Sequence, residues 1–517
     1  MMITTNPVWR DASALPQAGQ TLLTDISCDV CVVGAGIAGL STAYRLTVEG
    51  KRVTVLEAQP EVGLGETGST SAHLSSILDD RFARLRSVRG LAAVRPVFVS
   101  HSAAIGLIEA TVHREEIACD FARVDGYLFP GSDGETDTLT KEAEVCRESN
   151  IPFTWVDRIP WRGARIGPAL RFPDQAEFHP GKYLVGLAAG IVSRGGSIYT
   201  GTRVASVIGG ERVLVTTTAG RTVAAGAVVL ATNTPINSGL GINSRIAAYT
   251  TYVIAVEVPP ALVAAGLFWD TEEPYHFVRF YAPAGGVPLI LVGGEDHKTG
   301  QRADQPARWG RLEAWLRDRF PGVGPVKFRW DGQVFETLDG LGLIGRDPAG
   351  GENVYVATGD SGMGLTHGTI AGSLLTDLIQ GRTNPWAELY DPGRFPLAAV
   401  GRFVRENTNM VSQYTDWLSS GGEVDPADLA PGQGVVTRWG GAARVAACRT
   451  DNGTLHLHSA VCPHYGGIVR WNEAEQTWDC PCHGSRFAAD GRVLHGPATT
   501  ELKPITADAF ANAMTLA

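Results

Sequence analysis

CDVCVVGAGIAGLSTAYRL, residues 28–46, decides the fold. The apolar run CDVCVV reads as a buried strand; it leads into Gly34, Gly36 and Gly39, and a helix with apolar periodicity follows. Gly34 permits the tight turn, Gly36 lets a pyrophosphate approach the backbone, and Gly39 lets helix and strand pack closely. The next apolar run, KRVTVLEAQ, brings Glu57 about 20 residues beyond the glycines, where a carboxylate accepts hydrogen bonds from a ribose diol. Strand, glycine turn, helix, second strand and acid in that order predict a doubly wound, Rossmann-like α/β domain that binds a dinucleotide. Cys28 and Cys31 form a CxxC inside the strand and read there as packing thiols, not as a redox pair.

Three later stretches point to FAD over NAD. GLGETGSTSAHLSS (63–76) is a small, hydroxyl-rich loop whose backbone donors, around Ser69 and Thr70, suit a pyrophosphate and flavin. AGAVVLATNTP (225–235) is a β-run closing on Ala231 and Thr232. In ENVYVATGDSGMGLTHGTIAGSLLTDLI (352–379) a strand, a glycine turn and a helix recur, with Gly359, Gly362, Met363, Gly364, Leu365 and Thr366 at the turn. The positive end of that helix suits the pyrimidine oxygen of a flavin and stabilises its anionic reduced form.

Composition narrows the remaining classes. A chain of 517 residues exceeds one core, so two or three domains are expected. With 44 basic against 54 acidic residues, a net charge of −10 and no basic run, nucleic acid is excluded as a partner. No run reaches the roughly 20 consecutive apolar residues of a membrane helix, so no transmembrane segment is expected. The opening MMITTNPVWRDASALP lacks an export signal, and eight cysteines in so long a chain do not suggest a disulfide framework; both point to the cytoplasm.

Near the other end, short β-like runs (VVTRW, ARVAAC, TLHLHS) precede VCPHYGGIVRWNEAEQTWDCPCHGSRFAADGRVLHGPA. Cys462 and His464 sit in one Gly-rich loop, Cys480 and His483 in another. Two thiolates and two imidazoles also suit tetrahedral zinc. Against zinc, no helix carries the second pair. The turn-rich SSGGEVDPADLAPGQG (419–434) reads as part of a linker over 396–430.

On these motifs, residues 25–395 resemble the D-amino-acid oxidase and glycine oxidase family. FHPGKYLVGLAAGIVSRGGSIYTGTRVASV (178–207) is similar to the family element whose strand, around Val204, backs the adenine. The resemblance implies FAD-binding parts at about 25–80, 176–245 and 340–395, and a mixed-sheet substrate part at about 80–175 and 245–340. Residues 431–507 resemble an all-β Rieske [2Fe-2S] domain: CPHYGG and CPCHGS are similar to its two boxes and HGPA to its proline loop. The resemblance implies that Cys462 and Cys480 hold one iron and His464 and His483 the other. Imidazole ligands remove negative charge from such a cluster and raise its potential. High-potential Rieske domains carry a first-box cysteine where this chain has Gly467, so Cys482 lacks a disulfide partner. Ser485 keeps the hydroxyl that bonds a cluster sulfide in the family, and Phe487 replaces the respiratory tyrosine. A potential in the middle of the roughly −150 to +300 mV Rieske range is expected.

The whole order, with GGEDHKTG (293–300) and WDCPCHGSRF, resembles a bacterial group of FAD-dependent oxidoreductases with a C-terminal Rieske domain. It implies a dehydrogenase for a small amine or amino acid, oxidised at the C–H next to nitrogen, with electrons leaving through the cluster to an external acceptor. The alternatives are an oxidase that releases hydrogen peroxide around a structural cluster, and a non-catalytic electron-transfer or redox-sensing protein. In EEPYHFVRFY, Arg279 is a candidate carboxylate clamp with Tyr275 and His276 beside it; the same strand also reads as exposed with solvated charge. His73 is one place off the spacing for covalent flavin attachment, His367 either faces the flavin or caps its helix, the cap being the preferred reading, and His456 and His458 lie outside the ligand set.

Overall fold

The strand that opens the glycine turn is Ile26–Val33, and its neighbours explain its unbroken apolar run. In a computed structural model of the chain it pairs in parallel with Val53–Leu56 on one side and Thr222–Leu230 on the other. A strand buried on both faces has no polar side to show. The structure describes residues 5–11, 19–131, 136–162, 166–237, 239–283, 285–417, 424–439 and 443–506. The sheet runs Leu343–Arg346, Val354–Thr358, Thr222–Leu230, Ile26–Val33, Val53–Leu56, Ser197–Tyr199, with Val204–Ile208 and Val213–Thr217 alongside. Helices Ile37–Val48 and Gly364–Ile379 pack on each other beside it. Cys28 and Cys31 are free and buried in it.

A second, nine-stranded sheet takes its strands from the intervening segments: His73–Leu74, Ala122–Phe129, Thr154–Val156, Ala169–Glu177, and five strands between Ile246 and Thr337. It is mixed, with Leu267–Asp270 parallel to Ala122–Phe129 and most other pairs antiparallel. Its outer face buries Trp161, Phe268, Phe280 and Phe320 under the helix Gln305–Arg319.

The helix Val94–Arg114, with its flanking turn, is long and apolar enough to cross a membrane by length and composition alone. Its stripe Val97, His101, Ala104, Ile105, Ile108 is nonetheless buried in the fold, and His101 bonds to Thr366 at 2.7 Å.

The C-terminal part carries a three-stranded sheet, Gly434–Trp439, Ala443–Arg449 and Leu455–Ser459, and a four-stranded one between Arg470 and His495. Trp478 and Phe487 fill its core. The expected linker departs from its reading. Residues 418–423 lie outside the described set, but Val400–Ser412 is a helix that pairs Arg402 with Glu336 and Lys298 with Glu406. Tyr414 then donates to the Tyr465 carbonyl (2.7 Å) and Trp417 to that of Gly466 (2.9 Å). The segment is a strut touching both parts.

The two parts meet directly. Arg486 is buried between Asp479, within its own part, and Asp331 on the nine-stranded sheet, at 3.1 Å from each. Arg470 donates to the Gly300 carbonyl and Gln301 to that of Pro481. A charge so buried is tolerated because its partners are fixed around it.

Candidate active site

Between the two large sheets lies a cavity of about 300 Å³, and the glycine turn forms one end of it. Gly34 has φ +106°, and a Cβ there would stand 2.3 Å from the Ala231 carbonyl oxygen; one on Gly39 would stand 1.9 Å from that of Gly34. Only glycine fits either place. Gly34, Gly36, Glu57, Ser69, Thr70, Val204, Thr232, Gly362, Met363, Gly364 and Leu365 of the expected cofactor set line the cavity. Gly39, Gly359 and Thr366 do not: Gly39 seats helix on strand, Gly359 (φ +67°) shapes its turn, and the Thr366 hydroxyl faces the Met363 carbonyl and His101. Glu57 accepts from the amides of Ala35 (2.7 Å) and Gln59 (2.8 Å), and burial raises its pKa. Thr234 Oγ1, Asn233 Nδ2, Thr251 Oγ1, Gln333 Oε1 and Asp360 Oδ1 are buried there without hydrogen-bond partners. A cavity with so many unpaired polar atoms fits a large polar ligand such as FAD.

The substrate strand His276–Tyr281 needs correction. Tyr275, just before it, lines the cavity and donates to Asp79 Oδ2 at 2.7 Å. His276 does not; strand alternation turns it to the outer face, where it stacks on Trp315 at 4.4 Å and bonds Asp270 at 2.9 Å. Arg279 is buried but is not the expected clamp. Its guanidinium donates to the Ala72 (2.9 Å) and Phe178 (3.3 Å) carbonyls, lies 3.5 Å from Glu177 and covers the Trp9 ring. His73 lines the cavity with its ring nitrogens on Ser71 (3.0 Å) and the Val278 carbonyl (3.2 Å). His367 lines it too, donating to the Asp360 carbonyl and accepting from the Gly342 amide; burial holds its pKa at about 4.

The cavity has walls that the sequence did not suggest. Asp79, Thr251, Gln333 and Asp360 contribute to it, as do Leu494, His495, Gly496, Ala498 and Thr499 from the far end of the chain. Asp360 lies in the quoted GDSG turn, so an acid at a helix start was a usable signal; nothing marked the others.

Cys462, His464, Cys480 and His483 converge in two loops that turn at Gly466 (φ +76°) and Gly484 (φ +77°). The two imidazoles lie 5.0 Å apart, centroid to centroid, and both cysteines are buried and free. His464 Nδ1 and His483 Nε2 are buried without partners, and burial holds the rings near 3 and 4, hence neutral. Two thiols and two neutral, unpaired imidazoles fit a Rieske cluster. Ser485, fully buried, accepts from the Ala498 amide at 3.1 Å. A Cβ at Gly467 would stand 2.6 Å from Cys482 Sγ, within disulfide reach had that residue been cysteine. The loops differ in setting. Pro463 and Tyr465 of the first are exposed, whereas Gly484 of the second is pressed on Ala248, and Gln333 donates to its carbonyl at 2.7 Å.

A dinucleotide cavity beneath a substrate sheet, with a two-cysteine, two-histidine site docked on it, defines a flavoprotein oxidoreductase with an iron-sulfur domain. Comparison with known proteins agrees. Residues 29–378 match the FAD dependent oxidoreductase family, and residues 423–506 match the Rieske [2Fe-2S] domain. YhfW of Bacillus subtilis, whose name describes a Rieske 2Fe-2S iron-sulfur protein, is 31% identical over 503 residues, 97% of each chain. Gamma-glutamylputrescine oxidoreductase of Escherichia coli is 28% identical over 404 residues, 74% of this chain and 92% of that one. Glycine oxidase from Geobacillus kaustophilus superposes with a TM-score of 0.59 at 18% identity, over 71% of this chain and 99% of that one. The chain belongs to the FAD dependent oxidoreductase family and carries a Rieske domain, and its cofactors are FAD and a [2Fe-2S] cluster.

Proposed function

We propose that the protein is a dehydrogenase of a small amine or amino acid which passes the electrons on through the cluster domain to an external acceptor. The reaction removes a hydride from the carbon bearing nitrogen and a proton from the nitrogen, leaving an imine that water hydrolyses. FAD, when bound, accepts the hydride, and the Rieske cluster carries electrons singly. The chain's own part is positioning. The glycine turn and Glu57 suit the nucleotide half, and the start of the 364–379 helix directs its amides at the cavity. Asp79 and Tyr275 fix one another beside the substrate sheet. The 494–499 loop closes a wall against water.

One observation carries the reading: Gln333 lines the flavin cavity and, through the same side chain, holds Gly484 in the loop of His483. Pro463 and Tyr465, on either side of His464, are exposed, which supports an acceptor docking at that loop. Eight free cysteines suit the reducing cytoplasm.

Anaerobic stopped-flow mixing with amines and amino acids, following flavin bleaching and the cluster EPR signal together, tests it. Bleaching with concurrent cluster reduction is expected. Bleaching with a persistently oxidised cluster, and stoichiometric hydrogen peroxide in air, would instead make the protein an oxidase.

A further inference from the structure

At the end of the cavity walled by the substrate sheet, two carboxyl groups flank the turn that opens the 364–379 helix. A Cβ on Gly362 would stand 2.0 Å from Asp79 Oδ2, and one on Gly364 2.5 Å from Asp360 Oδ2. Asp79 is held by the Tyr275 hydroxyl, while Asp360 Oδ1 is buried without a partner. Gln333 Oε1, on a residue only 2% exposed that also lines the cavity, is buried with nothing to accept from. Asp360 raises the pKa of Asp79, so the two carboxyls act on each other, and unpaired buried acceptors call for a donor.

Arg81 acts on Asp79 from outside the cavity lining. Among the described residues that line the cavity, Arg203 is the sole arginine or lysine; it sits by Glu57, at the nucleotide end, and donates to the Val493 carbonyl. Burial keeps His73, His367 and His495 neutral. Arg279 is turned to backbone carbonyls, as described above. The other walls here, Trp269 and Phe277, are aromatic. A carboxylate entering this end would add a third negative charge with no partner, whereas an ammonium would relieve the repulsion between the two already there.

We infer that the substrate is a cationic amine with no carboxylate beside its nitrogen, its ammonium held by Asp79 and Asp360. This rests on the dehydrogenase reading above and narrows it. Burial raises both carboxyls to about 6, and Asp360 raises Asp79 further.

The test is calorimetry on the full-length holoprotein with tert-butylamine, 2-aminoisobutyrate and pivalate. The first two differ by one methyl-for-carboxylate exchange and carry no hydrogen on the carbon bearing nitrogen, so neither is turned over. Tert-butylamine is expected to bind at least about tenfold more tightly than 2-aminoisobutyrate, and pivalate not at all. Asp360→Asn is expected to weaken tert-butylamine by about tenfold, with affinity read per flavin-loaded protein because Asp360 also lines the cofactor cavity. Asp79→Asn, which keeps an acceptor for Tyr275, gives the same reading should Asp360→Asn lose flavin. Equal or tighter binding of 2-aminoisobutyrate, or unchanged affinity in the variants, overturns the inference. If none of the three binds, flavin bleaching decides. Bleaching by amines alone supports the inference. Bleaching by amino acids overturns it and leaves the dehydrogenase reading intact; bleaching by neither overturns both.

Discussion

The glycine turn and the substrate strand make opposite uses of sequence. At the turn, function sits in the backbone: Gly34 and Gly39 meet carbonyl oxygens at 2.3 and 1.9 Å, and no other residue fits. On the strand, function sits in side chains whose partners come from elsewhere. Tyr275 works only because Asp79 meets it from 196 residues away, and Arg279 is taken out of service by carbonyls 207 and 101 residues away. A site built on backbone geometry is local and rigid; one built on assembled side chains is open to change.

The sharpest way to break the contrast is Gly39→Val. If the turn is a matter of backbone space, the loss is among the largest for a single substitution, about 4 kcal/mol or more, and flavin content collapses with it. Chemical denaturation with flavin absorbance measures both; a stable, yellow Gly39→Val protein would refute the account. Next comes Arg486→Met, which leaves Asp331 and Asp479 buried without the cation between them, Asp479 keeping Asn472 and Thr477. A cost of about 3–5 kcal/mol, read by denaturation of the full chain, is expected.

A smaller effect separates the substrate end by pH. Asp79 is pushed up to about 6, chiefly by burial, with Asp80 and Asp360 raising it further and Tyr275 and Arg81 lowering it. A raised acid takes up protons on folding, so its contribution to stability is full below the unfolded value near 3.8 and is lost as pH rises through about 6. Asp79→Asn removes that loss. Relative to wild type it is expected to be more stable at pH 7.5 than at pH 4.5, by about 2 kcal/mol; equal differences at both would sink the prediction. The smallest change expected is Ser485→Ala, which leaves the cluster in place and lowers its potential, as an EPR-monitored titration would show.

The same contrast explains what was legible. Gly34, Gly36, Glu57 and the four cluster ligands lie in short motifs whose spacing is their geometry, and the structure brings each group together. The place of His276 follows from period-2 alternation in HFVRFY: Tyr275 and Phe277 face the cavity, so His276 faces away and is no substrate residue. Arg279 lies on the cavity's side of that strand, and nothing local reveals that Ala72, Phe178, Glu177 and Trp9 enclose it. The 400–412 helix was hidden by the turn-rich stretch after it, although Arg402, Glu406 and Asn409, spaced by four and three, already mark one helical face.

The wall formed by Leu494 to Thr499 bears on how the protein is made. That segment is the last part of the chain to leave the ribosome among the elements around the flavin cavity, and Arg203, beside Glu57, grips it through the Val493 carbonyl. Until it seats, the cavity stands open on that side; once seated, it narrows the way in. The cavity is therefore complete only in a chain made through to its C-terminal part, so one cofactor's pocket depends on the domain that holds the other.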